Sequence, residues 1–132
     1  MRFTVHVDGG ARGNPGPAAI AAVVSDDDGV IVHEAARAIG RATNNVAEYR
    51  ALLLGIEAAR EIGGTDLDLV GDSELIVKQV QGAYKVKNAD LKPLHAEVHA
   101  ALSQLDNWSI RHVRRELNKE ADRLVNEALD AA

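Results

Sequence analysis

The 132-residue chain contains no cysteine, so neither a disulfide framework nor a thiolate zinc site can form. A disulfide-linked partner is excluded for the same reason, and a reducing, cytoplasmic location is expected. No run of apolar residues approaches the roughly 20 needed to cross a bilayer, and Arg2 and His6 interrupt the N-terminal stretch. We therefore expect an unprocessed, soluble protein without a membrane partner.

The length predicts one domain of ordinary size over residues 1–132. The formal net charge of -5 by itself argues against a polyanionic partner. The charges are unevenly distributed, however, because residues 1–75 hold 6 Lys and Arg against 12 Asp and Glu, whereas residues 76–123 hold 9 against 6. The later basic residues could meet phosphates, although a mixed charged surface would look the same.

Alternating apolar and polar residues near the N-terminus predict a β-strand that ends on Asp8. Phe3, Val5 and Val7 alternate with polar residues, as in a strand whose two faces see different surroundings. Four glycines follow within eight residues, where they allow a polymer to approach the main chain. A carboxylate beside a glycine-rich loop is suited to binding a metal ion and a phosphodiester. An acidic turn residue before a flexible hairpin loop would explain the same sequence equally well.

The next two apolar stretches predict strands that complete an antiparallel meander. Ala18–Ser25 has strand length, a turn follows at 26–29, and β-branched residues resume over Val30–Ile39. The three aspartates of the turn could bind a cation, but a solvated hairpin tip explains them more simply.

A helix is predicted over residues 46–62, where apolar residues recur at the helical period and a Gly-Gly pair ends the pattern. Thr43, Asn44 and Asn45 are good N-cap residues. Asn45 and Glu48 have capping-box spacing, which places Glu48 in the first turn. An acid in that turn usually does no more than favour the helix dipole.

Residues 66–72 repeat the opening design, a short apolar strand that ends on an acid, here Asp72. A helix over Glu74–Gln81, capped by Ser73, is predicted to follow it. The succession of strand, helix and strand makes this strand parallel to the first. Asp8 and Asp72 should therefore lie at the carboxyl edge of one sheet, where sites in such layers usually form.

The last third of the chain predicts a helix over Leu91–Leu105, a strand over Asn107–Val113 and a C-terminal helix. Asn118 can cap the C-terminal helix, and Asp122 lies about one turn in, where it can reach the same sheet edge.

A pair of histidines, His95 and His99, is spaced i, i+4 on the predicted 91–105 helix and could ligate a metal. No third ligand stands near them in the sequence, so a surface or packing role is favoured.

Four carboxylates from four separate elements are thus expected near one spot: Asp8, Glu48, Asp72 and Asp122. Like charges packed within a few ångströms repel unless something positive lies between them. Mg²⁺ prefers hard oxygen ligands, and two such ions about 4 Å apart can activate a water and stabilise a leaving oxygen. Such an arrangement hydrolyses phosphodiesters.

Five sequence blocks resemble those of the type 1 ribonuclease H family, in the same order and with compatible spacing. The blocks are Asp8–Gly16, Thr43–Glu48, Gly71–Ser73, Tyr84–Asn88 and Asn118–Asp122. The chain is most similar to the actinobacterial domains that precede a phosphatase-like domain in a bifunctional enzyme, so such a domain is an expected C-terminal partner. The resemblance implies an α/β fold with a five-stranded mixed sheet, a three-stranded antiparallel meander plus two parallel strands, and helices on both faces.

The resemblance also implies an endonuclease that hydrolyses the RNA strand of RNA/DNA hybrids and leaves 5′-phosphate and 3′-hydroxyl ends. Asp8 would bridge two Mg²⁺ ions, for which Mn²⁺ could substitute. Asp122 would help hold the ion that carries the attacking water, and Glu48 and Asp72 would hold the ion beside the leaving 3′ oxygen.

Two further groups of residues match substrate-binding positions of the family. Those that match minor-groove positions, where amides can read 2′-hydroxyls, are Asn14, Asn44 and Asn45. Those that match a pocket for a phosphate of the DNA strand are Arg41, Thr43 and Asn88, which would otherwise serve as caps and loop contacts.

At three places the sequence departs from the family pattern, which limits how far the roles of family residues can be assigned to this chain. Glu74 stands where many relatives have Gln, and the loop before Asp122 is short. A basic protrusion rich in Lys and Trp is absent, so hybrid binding should depend more on Lys85, Lys87 and Lys92. His112 lies on the last strand rather than in a mobile loop, and we do not assign it to catalysis.

Two other functions share parts of this pattern. A non-catalytic hybrid-binding module would keep the asparagines but could lose a carboxylate, whereas all four are present. Another nuclease or an integrase would keep an acidic cluster but not the Thr43-Asn44-Asn45 sequence that opens the helix.

Overall fold

The computed structural model describes residues 1–132, which form five strands and four α-helices. The strands are β1 (Arg2–Ala11), β2 (Gly16–Ser25), β3 (Ile31–Ala42), β4 (Asp66–Gly71) and β5 (Asn107–His112). The helices are α1 (Asn44–Glu61), α2 (Glu74–Val80), α3 (Leu91–Leu102) and α4 (Lys119–Ala131), and a 3₁₀ turn spans Arg115–Leu117. None of the helices combines the length and apolar character that crossing a bilayer would take.

The strands form one mixed sheet in the order β3-β2-β1-β4-β5. β1, β2 and β3 pair antiparallel as a meander, whereas β4 runs parallel to β1 and β5 runs parallel to β4. The predicted topology is therefore confirmed. The β1–β4 register ends at His6 opposite Val70, so the two strands separate just before Asp8 and Asp72.

Helices cover both faces of the sheet, as predicted, and β2 shows how the faces are divided. Ile20 and Ala22 point into the main core, which α1 covers, whereas Ala19 and Ala21 pack against Val125 of α4. Small residues on β2 let a helix pack closely on either side. The sheet is thus enclosed at its centre, and its carboxyl edge lies between α1 and α4.

Some element boundaries differ from the prediction. β1 does not end at Asp8 but continues to Ala11, because it stays paired with β2 through Ala11 opposite Ala18. α3 ends at Leu102, three residues earlier than predicted. The start of α1 also differs, since Thr43 is the N-cap and its side chain accepts a hydrogen bond from the Val46 amide. Glu48 therefore lies beyond the first turn.

Candidate active site

Asp8 is the most enclosed of the four acids. It lies within β1 opposite Ala21 and is only 7% exposed. Burial, followed by the negative charges of Asp72, Asp122 and Glu48, raises its pKa to about 8. The carboxyl group therefore holds a proton near neutral pH unless positive charge comes close.

Glu48 reaches this position because α1 packs directly against β1. Gly9 makes this approach possible, since a Cβ at that position would overlap the carbonyl group of Ala47 and the amide of Glu48. Burial raises the pKa of Glu48 to about 7, and the nearby hydroxyl of Ser73 counteracts part of this rise. The glycine after Asp8 thus serves helix packing rather than a bare loop.

Asp72 follows β4, and Asp122 lies in the first turn of α4. The Oδ2 atom of Asp72 is buried and has no hydrogen-bond partner. Burial raises the pKa of Asp72, whereas the positive charge of Arg115 lowers it. Asp122 lies close enough to Asp8 to share a hydrogen bond with it. A buried carboxylate oxygen without a donor is suited to a cation.

All four predicted acids line one cleft of about 520 Å³ at the carboxyl edge of the sheet. The sequence expectation that they meet there agrees with this geometry. No three of them have the spacing of ligands to one ion, so side-chain rotation is needed to close them on a metal. Asn44, Asn45 and Arg115 line the same cleft.

Two predicted asparagines hold the β1–β2 loop against the start of α1. Asn14 Oδ1 accepts a hydrogen bond from the Asn44 amide at 3.1 Å, and Asn44 Oδ1 accepts one from the Ala11 amide at 2.8 Å. Both side-chain oxygens already accept bonds, and the NH₂ groups remain free to donate.

The predicted phosphate-binding residues lie in two separate parts of the chain. Arg41 is exposed near the end of β3, and Thr43 Oγ1 accepts the Val46 amide at 3.2 Å. Asn88 lies in the α2–α3 connection, where its Oδ1 accepts the Asp90 amide at 2.7 Å. No hydrogen bond joins Asn88 to the other two. Thr43 therefore serves as a helix cap and Asn88 as a loop contact, which are the roles expected of them if they do not bind phosphate.

Two residues near the acids, Arg115 in the wall of the cleft and Asn118 outside it, are not predicted as site residues by the sequence. Arg115 lowers the pKa values of Asp72 and Glu48 through its positive charge. Asn118 was predicted only as a helix cap. It stands at the N-cap of α4, but its side chain makes no cap bond and instead donates to the carbonyl oxygen of Val7 at 2.9 Å. The only sequence signal for both was their position just before Asp122.

His95 and His99 pack between aromatic side chains. The His95 and His99 ring centroids are 4.6 Å apart, Tyr49 lies 6.3 Å from His95, and Trp108 lies 6.0 Å from His99. His95 Nε2 is 3.1 Å from the carbonyl oxygen of Gln79. These contacts give the pair the favoured packing role, and no third metal ligand lies near them.

A mixed sheet in this strand order, with four acids at its carboxyl edge, defines the ribonuclease H-like class of proteins. A family profile described as reverse transcriptase-like matches residues 6–128. The crystal structure of RNase H1 from Halobacterium salinarum superposes with a TM-score of 0.98 at 48% identity and covers 100% of both chains. The chain belongs to the type 1 ribonuclease H family.

The chain spans only part of the length of the relatives that it matches. Ribonuclease HI of Halobacterium salinarum is 48% identical over 131 residues, which are 99% of this chain and 66% of that protein. A bifunctional protein of Mycobacterium tuberculosis is 46% identical over 133 residues, which are 100% of this chain and 36% of that protein. The predicted likeness to domains of bifunctional actinobacterial proteins is confirmed.

A third relative has been solved with nucleic acid. The crystal structure of LC11-RNase H1 in complex with an RNA/DNA hybrid has a TM-score of 0.93 at 43% identity, and the match covers 98% of this chain and 97% of that one.

Proposed function

We propose that this chain is an endonuclease that hydrolyses the RNA strand of RNA/DNA hybrids and leaves 5′-phosphate and 3′-hydroxyl ends. The observation that carries the proposal is the cleft that the four acids line together with Asn44 and Asn45, namely Asp8, Glu48, Asp72 and Asp122. Membership of the ribonuclease H family and the hybrid complex of the LC11 relative support the choice of substrate.

Ribonucleases H generally need divalent metal ions, and the acids of this chain suit them. Burial and mutual repulsion raise the pKa values of Asp8 and Glu48, and Asp72 Oδ2 has no donor, so added positive charge would stabilise the cluster. We infer that the four acids hold two Mg²⁺ ions, with Mn²⁺ as a substitute. When bound, such ions activate a water and neutralise charge at the phosphate.

The side chains themselves act by binding and by giving up protons. Asp8 is influenced by the whole cluster, since the negative charges of the other three acids all raise its pKa. It must lose its proton to bind a cation, so cation binding and proton release are coupled. No cysteine is present, and no step requires a covalent intermediate with the enzyme.

The asparagines at the rim supply the selectivity for RNA. With their oxygens occupied, Asn14 and Asn44 present NH₂ donors, and Asn45 lines the cleft beside Asn44. A 2′-hydroxyl can accept such a bond, whereas deoxyribose offers no equivalent oxygen. The RNA strand is therefore the strand that these residues place over the acids.

The DNA strand is proposed to lie across Arg41, Thr43 and Asn88. Thr43 uses its oxygen as an acceptor for the helix cap, which leaves its hydroxyl hydrogen free to donate to a phosphate. The exposed lysines of the α2–α3 region, which can add salt-dependent attraction to phosphates, are Lys85, Lys87 and Lys92.

The proposal is tested with labelled RNA/DNA hybrid, duplex RNA and duplex DNA, each incubated with Mg²⁺, Mn²⁺ or a chelator. Cleavage should be confined to the RNA strand of the hybrid and should require a divalent ion. Asp72→Asn should reduce the rate by about 10³-fold or more, because it removes charge from the cluster without changing the shape of the side chain.

Asp68→Asn is the matched control, since Asp68 lies on β4, which ends just before Asp72, but pairs with Ser109 and Arg111 outside the cleft. It should cleave the hybrid at nearly the wild-type rate. Equal cutting of duplex DNA, or full activity of Asp72→Asn, would contradict the proposal.

Two wider expectations stay predictions. A C-terminal phosphatase-like domain in the full-length protein is tested by whether the natural reading frame continues past Ala132. The cytoplasmic location is tested by fractionating cells that express the natural gene.

A further inference from the structure

One buried side chain links the elements that carry the acids. Strands β1 and β4 pair only as far as His6 and Val70, and Asp8 and Asp72 lie just beyond this point. The Val7 carbonyl oxygen accepts a bond from Asn118 Nδ2 at 2.9 Å. Asn118 thus bonds to β1 at the first residue beyond the stretch in which β1 pairs with β4.

The orientation of this amide is fixed by its partner. A carbonyl oxygen can only accept, so the nitrogen of Asn118 must face Val7. The residue is 1% exposed, and its Oδ1 atom is buried without a partner. An unsatisfied buried oxygen costs stability, and native proteins keep few of them. A residue kept at such a cost calls for a role besides packing.

Asn118 also adjoins two of the other three acids, Asp72 and Asp122. Its side-chain amide also lies near the Asp72 carboxylate. Its own carbonyl oxygen accepts the first bond of α4, from the Asp122 amide at 3.1 Å. One residue therefore relates the positions of Asp8, Asp72 and Asp122.

We propose that Asn118 is a positioning residue for divalent-cation binding, which sets the spacing of Asp8, Asp72 and Asp122 by fastening the start of α4 to β1. The inference deepens the proposed function and rests on it, since it concerns the same cleft. Asn118 holds the acids in register and does not itself touch the ion or the substrate.

Gln79 provides a matched control within the same chain. It is also a buried amide, 6% exposed, and its side chain accepts one hydrogen bond from the Tyr49 hydroxyl at 2.7 Å. Gln79 bonds to the side chain of Tyr49, whereas Asn118 bonds to the backbone of β1 beside Asp8. Gln79→Ala and Asn118→Ala therefore both remove a buried amide with one strong bond, but only the second loosens the acids.

The experiment measures Mn²⁺ binding by calorimetry, thermal unfolding without metal, and steady-state cleavage of a hybrid. Both variants should unfold at lower temperature than the wild type. Asn118→Ala should bind Mn²⁺ about 10-fold more weakly, whereas Gln79→Ala should bind it as the wild type does. For Asn118→Ala, kcat should fall while the KM for hybrid stays within about twofold.

If Asn118→Ala does not fold, Asn118→Ser replaces it, because its shorter side chain cannot reach the Val7 carbonyl; weaker Mn²⁺ binding is again expected. Mn²⁺ affinity equal to that of the wild type overturns the positioning role, as does an equal loss in Gln79→Ala. A wild type that binds Mn²⁺ but leaves the hybrid intact contradicts the proposed function alone, and the comparison of the variants still decides the role of Asn118.

Discussion

Asp8 combines burial with like charge more strongly than any other residue of the chain. It is nearly enclosed, and burial together with Asp72, Asp122 and Glu48 raises its pKa to about 8. A group that holds its proton in the folded state more tightly than in the unfolded state favours folding only while it is protonated. The ionised cluster, which can bind cations, therefore lowers the stability of the metal-free protein.

Metal-free protein should lose stability as the pH rises. Asp8 and Glu48 have pKa values raised by burial to about 8 and about 7, above their values in the unfolded chain. Their contribution is fully present below pH ~4 and is lost as the pH passes through these raised values. In a chelator, the melting temperature should fall by about 5 °C or more between pH 5 and 8.5.

Two controls isolate the cluster in that measurement. Asp8→Asn removes one charge, so its metal-free melting temperature should depend less on pH and exceed that of the wild type at pH 8.5. Added Mg²⁺ should raise the melting temperature of the wild type at pH 8.5, and it should raise that of the variant less. A melting temperature that stays flat or rises with pH in the chelated wild type would contradict the assignment of the raised pKa values.

Arg115 is expected to contribute more to the cleavage rate than the neighbouring Arg114 does. It lines the cleft, and its positive charge lowers the pKa values of Asp72 and Glu48. Arg115→Ala should reduce the cleavage rate by about 10-fold or more, because it removes preorganised positive charge from the site. Arg114→Ala is the control, since Arg114 pairs with Glu116 at 3.5 Å and does not line the cleft. Equal effects of both changes would show that only the charge of the loop matters.

At the scale of elements, the position of α1 against β1 decides where Glu48 lies. The sequence places the helix and its cap correctly to within two residues, because apolar period and cap residues are local signals. It does not predict the close packing at Gly9, which depends on a residue about 40 positions away. From the sequence alone the glycine therefore indicates a flexible loop, whereas β1 continues through it.

Gly9→Ala should move Glu48 away from Asp8. The added Cβ would overlap the backbone of Ala47 and Glu48, so α1 must move away from β1. We expect a loss of about 2 kcal/mol or more in the free energy of unfolding and a large loss of cleavage at temperatures where the variant is folded. Gly10→Ala tests the adjacent position, where the Cβ would be 3.9 Å from Val125 Cγ1. Chemical denaturation and cleavage assays should find the Gly10 variant little changed, and equal sensitivity at both positions would contradict the packing explanation.

At the scale of the whole molecule, topology explains how acids distant in the sequence come together. Parallel β1 and β4 bring Asp8 and Asp72 to one edge, and α1 and α4 approach that edge from opposite faces of the sheet. The order of elements and the strand-end acids therefore predicted the location of the cleft. Arg115 and Asn118 could not be assigned in the same way, because their roles depend on long-range contacts without a period or motif of their own.

The most direct test of the shared carboxylate site is anomalous diffraction from crystals of Asp72→Asn with a bound hybrid and of the wild type soaked in Mn²⁺ alone. The wild type should show Mn²⁺ in the cleft beside Asp8, and the hybrid complex should show ions about 4 Å apart at the phosphate if the remaining acids still hold both. The wild-type result is decisive: a peak bound by Asp8 together with at least one other acid of the cluster is predicted, and Mn²⁺ bound only outside the cleft, at saturating concentration, would contradict the account.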